Sequence, residues 1–386
     1  MNNILPLRQK VANVDIDACH EHKKGSPSNI LIEFVKSMPK VELHVHLEGT
    51  LEPELVFELA RRNGIDLSPY FNDVQDLQSK CESFTGLNSF LKVYYRCASV
   101  MRTERDFYDV TLAYLSRAKK ENNVVYVELF FDPQCHTNRG IPFETMANGI
   151  LAAVEDAYYD LHIKCKVIPC FMRHMSERSA VATWSEIFKY LQLHPEYKKL
   201  IVGIGLDSSE KNNPPSKFHG VFWMIRHAAK TVVGDMHIVA HAGEEGPSRF
   251  ISQALDVIGA ERIDHGVQCL SNDKLVKRLR DDRIPLTVSP LSNVKLNVVE
   301  TLNQHPIKKM LDLGLNVSIH SDDPAYFGGY ITQNYLAAMD ALDLNEHDVL
   351  RLAMNAIDSA FVTKSEKDEM KRQLRDAAQS LLVMKM

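Results

Sequence analysis

Histidine and aspartate residues occur in this sequence at spacings that suit a metal site. His44 and His46 are two residues apart in the run 41–47, and the two-residue period of a strand turns both imidazoles to one face. His241 and Asp322 each close a later apolar run. Three imidazole nitrogens and one carboxylate oxygen suit Zn²⁺ and leave an open position for water. The HxH pair alone is also typical of hydrogen-bonded strand histidines, but four such residues at strand ends favour a metal site.

A second group of residues could carry proton chemistry. Glu244 stands three residues beyond His241, where a partly desolvated carboxyl can act as a general acid, although a helix N-terminal carboxylate is the plainer alternative. His265 could accept a proton from water or stabilise hydroxide, unless it is a buried histidine that donates to a backbone carbonyl. Asp323 would be a costly buried carboxylate without a ligand to bind, although it could instead cap the segment that begins at Pro324.

Eight short apolar or β-branched runs alternate with helix-length segments and would position these residues. This alternation predicts repeated βα units, whose parallel strands are covered on the outside by helices. The count favours a closed (β/α)8 TIM barrel of the metal-dependent hydrolase type with additional helices. The unusual polar residues lie at the carboxyl ends of the runs, which form the rim where barrel enzymes bind ligands. The eight runs are 41–47, 124–131, 164–171, 201–207, 237–243, 262–267, 285–290 and 316–322.

Capping patterns predict where several helices begin. Thr103 and Asp106 form a capping pattern before one apolar stripe, and Ser365 with Asp368 forms another before the last helix. Residues 52–62 are a third predicted helix, which ends at the glycine two residues further on.

The chain divides into a short extension and one large domain. Its 386 residues fit one barrel of roughly 250 residues plus insertions. Residues 1–30 are polar and lack periodic apolar spacing, so we predict a flexible N-terminal extension. Residues 31–386 are predicted to form a single barrel domain.

Composition argues against several classes of partner and site. A formal net charge of -5, from 45 basic and 50 acidic residues, offers no long-range attraction for nucleic acid or anionic lipid. No apolar run reaches the ~18 residues of a membrane span, and the first thirty residues lack a signal-peptide core. Seven scattered cysteines without CxxC spacing indicate neither a disulfide framework nor a thiolate metal site. We therefore expect a cytoplasmic protein that binds neither nucleic acid nor membrane.

Four short motifs together resemble the adenosine/adenine deaminase family of zinc aminohydrolases. Each motif is short, but their joint order and spacing are highly specific, and the resemblance runs from about residue 39 to beyond residue 355. The motifs are HVHLEG at 44–49, HAGE at 241–244, DHG at 264–266 and SDDP at 321–324.

The resemblance implies a barrel enzyme that acts on a small-molecule purine. It implies that Glu244 protonates N1 of the purine, that His265 assists the water which attacks C6, and that Asp323 shares a hydrogen bond with N7. It also implies one Zn²⁺ per chain, held by His44, His46, His241 and Asp322.

The first motif bears on whether the substrate is adenine or adenosine. Nucleoside-specific members carry an aspartate that contacts the ribose where this chain has Glu48, and the extra methylene would push the carboxylate into the space of the sugar. The stretches 131–134, 205–210 and 325–330 also resemble the adenine deaminase branch. We therefore expect hydrolytic deamination of adenine to hypoxanthine and ammonia in purine salvage, with adenosine deamination as the alternative.

Free adenine exposes a ring N–H at N9, for which a base-specific pocket should offer a buried acceptor. A two-metal amidohydrolase is a further alternative. Such sites usually need a bridging carboxylate or modified lysine at the fourth strand, and the stretch 207–210 after this strand contains no lysine. A catalytically silent binding relative is another, although it would be expected to lose a metal ligand or the proton donor. The sequence leaves five candidates open for the N9 acceptor: Glu48, Asp207, Ser208, Ser209 and Glu210.

Overall fold

The computed structural model describes residues 28–227 and 230–384 of the chain. Helix α1 (Asn29–Ser37) begins at Asn29 because the Ser28 side chain accepts a hydrogen bond from the Leu31 backbone N–H at 3.2 Å. The predicted extension, apart from its last three residues, lies outside the described residues. Its predicted boundary after residue 30 falls inside α1.

Eight strands form at the eight apolar runs that the sequence predicts. They pair in sequence order, and all neighbouring strands are parallel. Most of their side chains are buried on both faces, as expected for a sheet covered by helices. The strands are β1 (Lys40–His46), β2 (Val124–Phe131), β3 (Lys164–Met172), β4 (Gly203–Asp207), β5 (His237–Ala242), β6 (Arg262–His265), β7 (Pro285–Val288) and β8 (Asn316–Ile319).

Hydrogen bonds between β1 and the residues after β8 close the barrel at its carboxyl rim. Val45 of β1 forms a parallel bridge with Asp322. The His46 N–H donates to the Asp322 carbonyl at 3.0 Å, and the Asp322 N–H donates to the His44 carbonyl at 2.9 Å. The predicted (β/α)8 TIM barrel is thereby confirmed.

Helices surround the barrel, and several additional ones precede β2. Helix α2 matches the helix predicted at 52–62 to within one residue. After α1, the α-helices of the described ranges are α2 (Pro53–Arg62), α3 (Val74–Glu82), α4 (Leu87–Ala98), α5 (Glu104–Asn122), α6 (Pro133–Thr137), α7 (Phe143–Leu161), α8 (Glu177–Leu193), α9 (His219–His227), α10 (Lys230–Val233), α11 (Ser248–Gln253), α12 (Asp273–Asp281), α13 (Pro290–Lys295), α14 (Ile307–Asp312), α15 (Pro324–Phe327), α16 (Ile331–Ala341), α17 (Glu346–Ser359) and α18 (Lys364–Met384).

The capping prediction is confirmed for α5 and wrong for α18. The Thr103 hydroxyl accepts from the Asp106 N–H at 3.3 Å, and the Asp106 carboxylate accepts from the Thr103 N–H at 2.8 Å. At α18 the same reciprocal pattern joins Thr363 and Glu366, with the Glu366 carboxylate accepting from the Thr363 N–H at 3.0 Å. Ser365 therefore lies in the first turn of α18, because Thr363 followed three residues later by a glutamate forms the better capping box.

The described ranges contain neither a disulfide nor a helix suited to a membrane. Their six cysteines are all buried and free, while Cys19 lies outside the described residues. No helix in these ranges combines the length and the apolar character that a bilayer crossing requires.

Candidate active site

A cavity of about 40 Å³ opens at the carboxyl ends of the strands. This is the rim at which the sequence predicts the polar residues to converge. Its polar lining comes from strand ends and the residues just after them: His46, Asp132, Asp207, Ser208, His241, Glu244, His265, Asp322 and Asp323. Its mostly aromatic and apolar lining comes from α4 and the end of α13: Leu87, Phe90, Leu91, Tyr94, Tyr95 and Leu296.

The four predicted metal ligands bring their donor atoms together beside this cavity. His44 Nε2 lies 3.2 Å from His241 Nε2, and His46 Nε2 lies 3.1 Å from the same atom. Asp322 Oδ1 lies 3.3 Å from His44 Nε2 and 3.4 Å from His46 Nε2. All four side chains are buried. The HxH spacing places two of these atoms on one face of β1, and barrel closure brings Asp322 beside them.

The separations between these donor atoms fit a metal ion. A tetrahedral zinc ion with ligands at about 2.0–2.1 Å places neighbouring ligand atoms about 3.3 Å apart, and the separations here are 3.1 to 3.4 Å. Burial lowers the pKa of His46 to about 4 and holds the pKa of His241 well below its usual range. Both imidazoles are therefore neutral, as metal ligands must be. Neutral ring nitrogens that face one another repel, and a bound cation would remove that repulsion.

A short chain of contacts orients two of the ligands from behind. His44 Nδ1 donates to the Thr287 carbonyl at 3.0 Å, which leaves the lone pair of Nε2 for the cluster. The Thr287 hydroxyl donates to Asp264 Oδ1 at 2.7 Å, and Asp264 Oδ2 lies 3.5 Å from His241 Nδ1. Outer partners of this kind set the tautomer and direction of metal ligands. The sequence analysis did not predict the contribution of Thr287.

The loop after β5 holds Glu244 at the cavity. The Glu210 carboxylate accepts three backbone N–H groups from this loop, those of Gly243 at 2.8 Å, Glu244 at 2.9 Å and Gly246 at 2.7 Å. The Glu244 side chain is buried, and its Oε1 has no hydrogen-bond partner within the described ranges. Burial, and then the nearby Asp322 carboxylate, raise the pKa of Glu244 well above its usual range. A carboxyl in this setting retains a proton that it can donate.

His265 ends β6 in the left-handed backbone region, with a φ of 66°. Its Nε2 lies 3.7 Å from Glu244 Oε2 and 3.7 Å from Asp322 Oδ2. Burial lowers the pKa of His265 to about 3, so the ring is neutral. Asp322 and Ser208 share the left-handed conformation, with φ values of 64° and 70°. These are three of the nine non-glycine residues with positive φ in the described ranges, and all three line the cavity.

Asp323 contributes a buried carboxyl to the cavity. Its Oδ1 has no hydrogen-bond partner among the described residues, and its side chain makes no cap hydrogen bond to α15. Burial, and then the adjacent Asp322, raise its pKa well above the usual range. Asp323 packs directly against Gly49, where a Cβ would overlap its carboxyl. The glycine of the 44–49 motif is therefore required by this close approach.

The sequence over most of the barrel matches a known family. The profile of the adenosine deaminase family covers residues 39–377, a range that includes every residue lining the cavity. The chain belongs to this family. An adenine deaminase of Paraburkholderia phytofirmans is 47% identical over 340 residues, which cover 88% of this chain and 93% of that protein.

Solved structures of related proteins share this deaminase-family barrel. The crystal structure of an adenine deaminase from Arthrobacter aurescens matches with a TM-score of 0.82 and 43% identity, covering 89% of this chain and 100% of that one. An amidohydrolase from Burkhoderia ambifaria, whose crystal structure has bound Zn, matches with a TM-score of 0.82 and 25% identity. That match covers 93% of this chain and 96% of the amidohydrolase chain.

The five residues that the sequence offers as acceptors of the N9 hydrogen separate into two groups in this deaminase-family chain. Asp207 and Ser208 line the cavity, and both carboxylate oxygens of Asp207 lack hydrogen-bond partners in the described ranges. Glu48, Ser209 and Glu210 are not part of the lining. The Ser209 hydroxyl donates to a carboxylate oxygen of a neighbouring loop at 2.8 Å, and the Glu210 carboxylate is occupied by the loop after β5.

Glu48 lies in a buried network beside the cavity. Its Oε1 accepts from His136 Nε2 at 2.8 Å and from the Asp132 backbone N–H at 3.1 Å. His136 Nε2 is the donor because Arg139 Nη2 donates to the other ring nitrogen at 2.6 Å. The Glu48 carboxylate therefore bonds to His136 and is not part of the cavity lining.

Asp132 is a cavity residue that the sequence analysis missed as a candidate. It follows β2, is buried, and has no hydrogen-bond partner in the described ranges for Oδ1. Ligand atoms of His46, Asp132 and Asp207 lie within 4.8 Å of one another. Burial, and then Asp207, raise the pKa of Asp132 well above its usual range. A polar residue just after a strand is the signal that identified the other cavity residues, and it applies equally to Asp132.

Removing one ligand should remove the metal from this deaminase-family site. We expect His241→Ala to lose bound metal and activity and to lower the melting temperature, because a saturating ligand at 100 times its Kd contributes about 2.7 kcal/mol to stability. Metal content by elemental analysis and a thermal melt test this expectation. His237→Ala changes a half-buried histidine at the other end of β5 and should keep full metal content. Full metal content in His241→Ala would contradict the assigned ligand set.

The three hydrogen bonds to Glu210 predict a positioning effect on Glu244. In Glu210→Gln an amide N–H group would face a backbone N–H, so the loop should shift and kcat should fall by about 100-fold. Metal content should stay at the wild-type level. Glu261→Gln, which changes an exposed carboxylate at the amino end of the barrel, is the matched control. Steady-state kinetics at the wild-type rate for Glu210→Gln would show that the loop does not need this anchor.

Proposed function

We propose that the protein catalyses the hydrolytic deamination of adenine to hypoxanthine and ammonia. The observation that carries the proposal is a single cavity where the four-residue cluster meets the buried carboxyls of Glu244 and Asp323. Relatives named adenine deaminase, at 47% and 43% identity, support adenine as the substrate. The cavity is small, at about 40 Å³. A small planar base needs much less movement of the lining than a nucleoside does.

We infer that one zinc ion occupies the cluster. Three imidazoles and one carboxylate form a donor set that suits zinc, and the related amidohydrolase from Burkhoderia ambifaria has bound Zn. When bound, zinc lowers the pKa of water from about 15.7 toward about 7 and so supplies a nucleophile at neutral pH. The residues that would hold it are His44, His46, His241 and Asp322.

The reaction moves two protons, and side chains of the cavity can direct both. The water oxygen bonds to C6, the C6–N6 bond breaks, and the two water protons end on N1 and on the departing ammonia. Glu244 donates its proton to N1, because its buried carboxyl retains a proton and faces the cavity. The resulting Glu244 carboxylate takes one proton from the water that adds to C6, which restores the acid, and the other water proton passes to N6 as ammonia leaves. Asp323 binds N7 and fixes the ring in the cavity. His265, 3.7 Å from Glu244, assists the oxygen that adds to C6.

We assign recognition of the N9 hydrogen to Asp207, with Asp132 beside it. The two oxygens of Asp207 are buried without partners in the described ranges, and a buried acceptor left unpaired costs about 1–3 kcal/mol. The N9 hydrogen of adenine can pair with this acceptor, whereas adenosine carries a sugar at that atom. Ser208 completes this side of the cavity, where its hydroxyl lies 3.2 Å from Tyr95 Oη and 2.8 Å from His174 Nδ1.

We further expect a cytoplasmic enzyme of purine salvage whose partner is the small-molecule purine. The net charge of -5 gives no attraction to nucleic acid. Six buried free thiols in the described ranges are consistent with a reducing compartment.

Substrate preference tests the proposed function directly. We expect the zinc-loaded protein to release ammonia from adenine with kcat/KM at least about 1,000-fold above that for adenosine, because a site built for a substrate N–H rejects an analogue that lacks it. Ammonia release and chromatographic detection of hypoxanthine measure both reactions. A preference for adenosine would support the nucleoside alternative instead, and no reaction with either substrate would contradict the function.

If Glu244 is the proton donor, a substitution at Glu244 should lower turnover without changing metal binding. Glu244→Gln keeps the size of the side chain but cannot supply the proton, so kcat should fall by about 100- to 10,000-fold while zinc content stays unchanged. Glu245→Gln alters the exposed neighbour, whose oxygen only accepts hydrogen bonds, and should remain active. Near-normal kcat in Glu244→Gln would remove Glu244 from the acid role.

A further inference from the structure

A buried chain of hydrogen bonds runs from the start of α14 to His265. The Ile307 backbone N–H donates to His305 Nδ1 at 3.2 Å. His305 Nε2 lies 3.1 Å from Asn293 Oδ1, and Asn293 Nδ2 lies 3.3 Å from His265 Nδ1. His305, Asn293 and His265 are each at most 3% exposed, so bulk water does not compete for these groups.

The backbone N–H of Ile307 fixes the donor and acceptor at every step of this chain of hydrogen bonds. A backbone N–H can only donate, so His305 Nδ1 is an acceptor and the neutral ring carries its proton on Nε2. That proton is donated to Asn293 Oδ1, which orients the amide with its NH2 group toward His265. The Nδ1 of His265 must then accept, and its neutral ring carries the proton on Nε2.

We propose that Asn293 and His305 are positioning residues that hold His265 in the tautomer with its proton on Nε2. This nitrogen lies 3.7 Å from both Glu244 Oε2 and Asp322 Oδ2, beside the cavity that His265 lines. In this tautomer His265 donates a hydrogen bond to the oxygen that adds to the purine C6 and does not remove a proton from it. The role toward the purine rests on the proposed function, whereas the tautomer itself does not.

Packing alone does not account for this arrangement. Each buried polar group left unpaired costs about 1–3 kcal/mol, and apolar side chains would fill the same volume without that cost. The chain of hydrogen bonds instead ends at His265, whose backbone is held at a φ of 66°. A polar relay that terminates at a strained residue of the cavity indicates a requirement for one proton position.

The tautomer can be measured in the zinc-loaded, full-length protein labelled with ¹⁵N-histidine. Long-range ¹H–¹⁵N correlation spectra distinguish protonated from unprotonated ring nitrogens, and loss of signals in His265→Gln identifies the His265 resonances. We expect the Nε2-protonated form in the wild-type protein. The Nδ1-protonated form would overturn the proposal.

Asn293→Asp tests the link between Asn293 and His265 with almost no change in shape. An aspartate oxygen would face His265 Nδ1 in place of the NH2 group, so the proton should move to Nδ1. We expect kcat to fall by about 100-fold, with KM and zinc content near wild type. Asn303→Asp adds the same charge at an exposed position nearby and should leave both tautomer and kcat unchanged. An unchanged tautomer in Asn293→Asp would refute the relay.

The two substitutions of His305 separate positioning from packing. His305→Gln retains an N–H donor for Asn293 Oδ1 and should keep the tautomer and most of kcat. His305→Phe retains a ring without that donor and should lose both. Equal losses in the two variants would assign His305 a packing role only. If the wild-type protein fails to convert adenine, the proposed function fails, while the spectra still decide the tautomer.

Discussion

The fold depends on the convergence of three buried imidazoles and one carboxylate at the seam where the barrel closes. Asp322 takes part both in closing the barrel and in the cluster. Its backbone bonds to His44 and His46, and its Oδ1 lies 3.3 Å and 3.4 Å from their Nε2 atoms. Three imidazole nitrogens and one carboxylate oxygen this close together form a donor set that suits a bound cation. The same residues therefore close the sheet and form the four-residue cluster, and a displaced β8 would disturb both.

Hydrogen-bond satisfaction separates the carboxyl groups around the cavity into two kinds. Glu48 and Glu210 are buried but fully engaged, the first by His136 and the second by three backbone N–H groups. Glu244, Asp207 and Asp323 instead retain oxygens without partners in the described ranges. Because native proteins pair nearly all buried polar atoms, the unpaired oxygens mark the side from which a ligand must supply donors or accept a proton.

The sequence was sufficient to predict whatever follows from strand periodicity. The eight strands were predicted from apolar runs that alternate with helix-length segments. The shared face of His44 and His46 was predicted from the two-residue period of a strand. Periodicity stops at the end of a strand, so the directions of Glu48 and Glu210 could not be predicted. Those directions depend on His136 and on the loop after β5, which are distant in sequence. Asp132 followed the general rule and lies in the stretch 131–134 that resembles the adenine deaminase branch, but it was not singled out as a site residue.

Three residues of the site have a backbone conformation that lowers the stability of the fold. Ser208, His265 and Asp322 all adopt positive φ at or just beyond the ends of β4, β6 and β8, at a cost of about 1–2 kcal/mol for each residue. In this conformation the chain leaves the strand abruptly, and side chains that would otherwise continue the alternation line the cavity. The cost is tolerable because a closed barrel fixes both ends of each turn. The same rigidity allows a proton position on His265 to be set by Asn293 and His305, groups that lie outside the lining of the cavity.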